Sequence, residues 1–283
     1  MENDYKVFFE ITNACNHKCF HCCKYWEDNT KIRTASYDTL DKIIAIPKSH
    51  LTISGGEPTL VKDKIKYLIE NESIEGITIN TNLTLLTDED IEYYMHSNVE
   101  LNVSAVSLIR ENYIKITGKN TYDIFMSNLK KIPRWSTISF IVNPLSLPYL
   151  EYNVRLLLLM GFKFILVSPQ TPTPYNNVDA YEVILRVRKL HDEYKKIANI
   201  VTQGCVGTEY CDHECEAGIG RILIDTVGDI YPCAPIHKPC KLGNIANVNI
   251  KNIKARGLRF YKSYPKHQRK ICKGFIFGEN ICY

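Results

Sequence analysis

No stretch of this chain is apolar for long enough to span a bilayer. The longest such run, Leu156 to Met160, falls far short of the ~20 residues a membrane helix needs. The opening residues, Met1-Glu2-Asn3-Asp4, are acidic and polar, so no secretory signal is expected. No dense Lys/Arg block marks a nucleic-acid footprint, for the net charge is only +4 and the pI about 8.4. Internal repeats and low-complexity segments are absent, which argues against a solenoid or a disordered linker. There is no Ser–His–Asp constellation and no carboxylate pair at an informative spacing, so hydrolysis finds no support. These absences leave a globular protein with neither membrane nor nucleic acid as partner, and reduced thiols without an export signal point to the cytoplasm.

What the chain has instead is cysteine, 11 in 283 residues. An odd count in so long a chain does not read as a disulfide miniprotein. Apolar residues make up 45% and charged residues 23%, an ordinary globular balance with room for one large domain and a small one.

Three of the cysteines stand together in Cys15-Asn16-His17-Lys18-Cys19-Phe20-His21-Cys22. The run follows a strand-like segment, Lys6–Thr12. Three thiolates on one short loop can hold three irons of a 4Fe–4S cluster and leave the fourth iron open to bind something else. Zinc is the competing reading, although structural zinc usually shows paired C-x-x-C spacing with four ligands.

Strand-like and helix-like stretches alternate through the first two-thirds. Strands are expected at 6–12, 50–54, 76–80, 100–106, 137–142 and 164–167. Helices are expected at 37–46, 62–70, 88–97, 122–131, 149–160 and 180–195. Ser36 reads as a cap for the first helix, and acidic residues open the third. Six strand–helix units in a row argue for a parallel sheet with covering helices, too few for the eight units of a closed barrel. After the second strand comes Ser54-Gly55-Gly56-Glu57-Pro58. Paired glycines admit close backbone approach, and Glu57 offers a carboxylate to an ammonium group. By itself such a segment is also a common strand-to-helix turn.

From Cys205 onward the composition changes, with seven of the 11 cysteines. Residues 221–225 and 229–231 read as a hairpin turning at Thr226-Val227-Gly228, and a domain boundary is expected near Asn199–Thr202. A hairpin between Cys215 and Cys233 can bring both thiolates to one side of a metal. A zinc-stapled tail explains the same pattern.

Together, the three-cysteine loop and the following GGEP segment resemble the radical S-adenosylmethionine superfamily. One departure is His21 where the family usually has Tyr, Phe or Trp. The resemblance implies a partial (β/α)6 TIM-type barrel over residues 1–200 and a small cysteine-rich α+β auxiliary-cluster domain over 201–283. It implies that Cys15, Cys19 and Cys22 hold a 4Fe–4S cluster, that His21 stacks on adenine, and that Gly55, Gly56, Glu57 and Pro58 receive the amino group of S-adenosylmethionine. Asn82, Ser104 and Asn143 follow the third, fourth and fifth strands, where polar residues face the site in parallel α/β folds; the resemblance gives them cofactor contacts. Leu83 takes the place of the glycine usual in the turn after the third strand.

The spacing from Cys215 through Gly228 to Cys233 resembles the opening of the SPASM and twitch auxiliary domains, but the later four-cysteine run of SPASM is missing. The implied ligand set for one auxiliary 4Fe–4S cluster is Cys215, Cys233, Cys272 and Cys282, with Cys205, Cys211 and Cys240 as alternates. Cys23 is read as packing, with a hydrogen-atom donor as the alternative.

The implied chemistry is reductive cleavage of S-adenosylmethionine to a 5′-deoxyadenosyl radical that takes a hydrogen atom from the substrate, fed by a one-electron donor such as flavodoxin or ferredoxin. Modification of a ribosomally made peptide is the leading expectation: a crosslink, an epimerisation or an oxidation. Only fourteen residues precede Cys15, so an N-terminal leader-binding domain is not expected. Alcohol oxidation of a small molecule, as in twitch-type dehydrogenases, is the second reading, and a non-catalytic zinc or iron–sulfur sensor is the third.

Overall fold

The computed structural model describes residues 5–22, 31–170, 179–202, 216–233, 240–247 and 250–263. The elements in chain order are β1 (Tyr5–Thr12), α1 (Tyr37–Ile44), β2 (Lys48–Gly55), α2 (Lys62–Asn71), β3 (Ile77–Thr81), α3 (Asp88–His96), β4 (Glu100–Ala105), α4 (Arg110–Thr117), α5 (Tyr122–Lys131), β5 (Thr137–Val142), α6 (Leu150–Leu159), β6 (Phe164–Pro169), α7 (Ala180–Tyr194), β7 (Asn199–Thr202), β8 (Arg221–Ile224), β9 (Asp229–Tyr231), β10 (Gly243–Asn244) and α8 (Ile250–Ser263). This is an α/β fold with a largely parallel sheet. The chain divides into two compact units, one of residues 1–15, 29–80 and 205–283, the other of residues 16–28 and 81–204.

In the first unit the strand order is β10-β9-β8-β1-β2-β3. The strands β8, β1, β2 and β3 run parallel, and β9 and β10 are antiparallel additions. Along β1, Tyr5, Val7, Phe9 and Ile11 are buried, the period-two pattern of a strand with helices on one side. The hairpin forms where the sequence places it. Gly228 takes φ +83, and Asp225 accepts from the Val227 and Asp229 amides at 3.0 and 2.9 Å, so the turn's exposed donors are satisfied locally. The cysteine-rich segment does not stand apart from this sheet: β8 pairs in register with Lys6–Phe9.

The second unit carries β4-β5-β6-β7, all parallel. Leu101, Val103 and Ala105 on β4 and Ile138, Phe140 and Val142 on β5 are buried. The alternate positions are half-buried and, apart from Ile141, polar; Ser139 Oγ donates to Asn102 Oδ1 at 2.6 Å. Helix starts follow side-chain chemistry. Ser36 accepts from the Thr39 amide, Thr87 and Asp90 form a reciprocal capping box, and Asp179 accepts from the Tyr181 and Glu182 amides.

Several elements, β10 among them, exceed the sequence reading. Residues 199–202, expected as a domain boundary, form β7 beside β6. The helices α4 and α8 are additional. Among the described residues no helix is long and apolar enough to cross a membrane.

Candidate functional site

In the first unit the chain leaves β1 at Thr12 and reaches Cys15, which is exposed. The three residues between are clamped. The Gly56 amide donates to Thr12 O and the Glu57 amide to Ala14 O, both at 2.8 Å. On the other side Asn13 accepts from the Arg33 amide at 2.7 Å and donates to Lys31 O at 2.9 Å. These contacts explain the paired glycines. A Cβ on Gly55 would lie 2.1 Å from Thr12 O, and one on Gly56 would lie 2.1 Å from Ala14 O. Gly55 also holds φ +142, a conformation side chains disfavour.

Glu57 is buried, and Oε1 accepts from the Thr59 amide and hydroxyl at 3.1 and 2.6 Å. That carboxylate caps the short 3-10 turn opened by Pro58, a role the sequence reading did not foresee. Deeper in the same unit Asn80 Nδ2 donates to Ser54 Oγ at 3.2 Å.

In the second unit lie Cys19 and Cys22, both half-buried. The Cys22 amide donates to Cys19 O at 3.0 Å, so the two thiols flank a tight turn. The turn is fastened to the end of α4. The Lys18 and Phe20 amides donate to Thr117 O and Ile116 O at 2.9 and 3.1 Å, carbonyls left without partners by the end of the helix. Gly118, at φ +65, closes α4 beneath Lys18.

The residues between the cysteines are anchored too. His17 is buried, its Nε2 2.9 Å from Thr121 Oγ1, with its ring edge-on to Tyr113. Burial, and next the charge of Lys119, push its pKa down to about 4. Asn16 Oδ1 accepts from Asn82 Nδ2 at 2.7 Å, and Asn16 Nδ2 donates to Thr84 Oγ1 at 2.9 Å. Asn82 in turn accepts from the Thr84 amide and hydroxyl. Asn16, His17, Thr84 and Thr121 were not foreseen as site residues. Their sequence signal was the run of polar side chains between Cys15 and Cys19, which reads equally as a loop.

His21 lies against Phe20, its ring edge-on at 5.8 Å, and is 7% exposed. Desolvation pushes it down to about 4, so the ring is neutral at physiological pH, and its buried Nδ1 has no hydrogen-bond partner in the structure. Ser104 is half-buried on β4, in register with Ser139. Asn143 is buried at the end of β5. Its Oδ1 accepts from the Leu145 and Ser146 amides at 3.0 and 3.1 Å, while its Nδ2 has no acceptor in the structure. Leu83 adopts φ +69, the left-handed conformation a glycine would take there without strain.

Of the C-terminal cysteines, Cys233 is half-buried at the end of the hairpin. Cys240 is buried and disulfide-bonded. Cys23, Cys205, Cys211, Cys215, Cys272 and Cys282 lie outside the described residues. The donor chemistry of the N-terminal run suits a thiophilic metal: three cysteines in eight consecutive residues, with neutral imidazoles between them.

Comparison with known proteins agrees with this. Residues 9–142 match the Radical SAM superfamily. An uncharacterised protein of Methanocaldococcus jannaschii is 26% identical over 275 residues, 89% of this chain and 93% of that protein. A GTP 3′,8-cyclase of Vibrio cholerae is 29% identical over 137 residues, 45% of this chain and 41% of the cyclase. The matches to the first curated relatives span only 34% and 49% of their length. Among solved structures, Streptococcus suis SuiB bound to S-adenosylmethionine superposes with a TM-score of 0.71 at 18% identity, over 88% of this chain and 65% of that one. The structure of anSMEcpe with AdoMet and Kp18Cys peptide gives 0.70 at 15% identity, over 95% of this chain and 88% of that one. At such identities these two structures establish the shared fold.

Proposed function

Residues 9–142 form a radical S-adenosylmethionine domain, and from that premise we propose that this enzyme modifies a ribosomally made peptide. Enzymes of this family work with a 4Fe–4S cluster and S-adenosylmethionine. The residues present fit that equipment. Three cysteines at the family's spacing offer the ligands, and two buried polar atoms, His21 Nδ1 and Asn143 Nδ2, have no hydrogen-bond partner among the described residues.

In this reading Cys15, Cys19 and Cys22 hold the cluster. When bound, cluster and cofactor supply a 5′-deoxyadenosyl radical for hydrogen abstraction. The chain's own task is to fix the thiols and shape the pocket. The amides of Gly56 and Glu57 hold the strand end before Cys15, and the carbonyls of Ile116 and Thr117 hold the turn between Cys19 and Cys22. Gly55 to Pro58 receive the cofactor's amino group, His21 lies against its adenine, and Asn82, Ser104 and Asn143 contact its polar groups. Asn143 Nδ2 suits an oxygen acceptor.

The auxiliary cluster on Cys215, Cys233, Cys272 and Cys282, a one-electron donor such as flavodoxin or ferredoxin, and a cytoplasmic location belong to the same proposal. The position of Cys233 just after the hairpin, half-buried, supports the first of these. The peptide substrate draws support from the fold shared with SuiB, a structure of which holds the precursor peptide SuiA. A small-molecule substrate is the second reading, favoured by the similarity to GTP 3′,8-cyclase over nearly half the chain.

The observation that carries the proposal is the backbone clamp between the glycine segment and the strand end before Cys15, the first thiol of the cysteine run. Anaerobic reconstitution tests it. Iron, sulfide and dithionite-driven release of 5′-deoxyadenosine are expected, all lost in Cys19→Ala. Zinc without iron, or undiminished release in the variant, would refute the assignment.

A further inference from the structure

The charge of this chain is unevenly placed. Between Ile230 and Gly278 stand eleven Lys or Arg and no Asp or Glu, so all 31 acidic residues lie elsewhere, with 24 of the 35 basic ones. The overall charge of +4 comes wholly from this segment, and the rest of the chain is acidic. Such asymmetry is a physical statement about partners.

The helix α8, IKNIKARGLRFYKS, is the longest described element of the segment. Ile253, Gly257 and Tyr261 are buried, and Asn252, Arg256, Arg259 and Lys262 are exposed. The exposed positions recur every three or four residues, so they share one face. Several exposed cations elsewhere are neutralised: Lys6 by Glu216, Lys131 by Asp88, Arg155 by Glu193, Lys195 by Asp192. Arg259 and Lys262 make no ion pair among the described residues, and Arg256 donates only to a neutral acceptor, Leu242 O, at 2.6 Å. The helix dipole accounts for Lys262 in the last turn, but it does not call for three cations along one face.

We propose that this basic face of α8 docks an acidic one-electron carrier protein of the flavodoxin class. The inference rests on the radical-enzyme reading, which requires such a carrier whatever the substrate. Charge complementarity names the sign of the partner, and the neighbouring cysteines name its chemistry. The same acid-free segment contains Cys233 and Cys272, two of the proposed auxiliary ligands. The helix also lies tight against the turn at Ala217–Gly220 that opens the hairpin: Gly257 is so close to Gly218 that a Cβ on Gly257 would lie 1.7 Å from Gly218 O. A carrier seated on α8 therefore stands beside the turn that opens the hairpin leading to Cys233. A nucleic acid would call for denser charge interleaved with stacking side chains.

The test is binding of a recombinant acidic flavodoxin to the reconstituted enzyme, followed by flavin fluorescence across a salt series. Wild type should bind with an affinity that falls steeply with salt, and Arg259→Glu/Lys262→Glu should weaken it about tenfold or more at low salt. Dithionite-driven 5′-deoxyadenosine release should be unchanged in the variant while flavodoxin-driven release falls with binding. Equal binding by both proteins overturns the docking site, and so does a matching loss of the dithionite-driven rate. Absence of dithionite-driven release in wild type would instead sink the radical-enzyme reading, because it does not depend on the carrier.

Discussion

The Glu57 amide donates to the carbonyl of Ala14 at 2.8 Å, one residue before Cys15. Through this bond and its neighbour from Gly56 to Thr12, the glycine segment fixes where the first thiol of the cysteine run stands. The two motifs are parts of one backbone device.

Gly56→Ala tests that device. Its Cβ would meet Ala14 O at 2.1 Å, so the Ala14–Glu57 bond must break or the loop must move. Overpacking of this kind costs about 1–3 kcal/mol. Thermal melting should show a destabilisation in that range, with iron content reduced well below wild type. A variant with full iron and unchanged melting would show that the clamp is dispensable.

Leu83 sets opposite effects against each other. It is buried and left-handed, so its side chain stabilises while its backbone strains by about 1–2 kcal/mol. Leu83→Ala should cost about 2–5 kcal/mol. Leu83→Gly loses the same packing but sheds the strain, so it should be the more stable of the two by about 1 kcal/mol, the reverse of the usual order. Urea unfolding of both variants decides this.

The bidentate pair of Arg186 and Glu151 joins α7 to α6, with contacts of 2.8 and 2.5 Å. The Arg186 hydrogen bond holds the Glu151 carboxyl below its ordinary value of 4.5. A depressed carboxyl contributes stability that is present above the unfolded-state pKa and lost as pH falls through the folded one. Because both groups are partly exposed, Glu151→Gln should cost only about 0.5–1 kcal/mol at pH 7 and close to nothing at pH 3. Melting curves at the two pH values check it.

Gly257→Ala probes the seating of α8. The added Cβ would enter Gly218 O, so the helix must lift from the turn, at about 1–3 kcal/mol. Loss of helix–sheet packing should appear as a lower melting temperature, while Ala255→Ser on the exposed face should be neutral.

Much of the fold was legible in the sequence because its strands are short, apolar and bounded by capped helices. The helices at 122–131 and 180–194 and the strand at 137–142 lie where periodicity put them. The helix α4 escaped notice because its start has no side-chain cap and it mixes charged with apolar residues. The strand β7 is only four residues long, and the pairing of β8 with β1 joins residues more than two hundred positions apart, which no local pattern reports. At the site, cysteine spacing is a local signal and was readable. The Asn16–Asn82–Thr84 contacts and the capping role of Glu57 depend on where the chain folds back, so sequence alone could not give them.

The central claim is a cluster held by Cys15, Cys19 and Cys22 with one iron left for the cofactor. Electron paramagnetic resonance of the dithionite-reduced, reconstituted Cys233→Ala protein addresses it most directly, since the auxiliary thiol is then removed. Addition of S-adenosylmethionine should change the spectrum of the remaining cluster; an unchanged spectrum, or no iron–sulfur signal at all, would contradict the account.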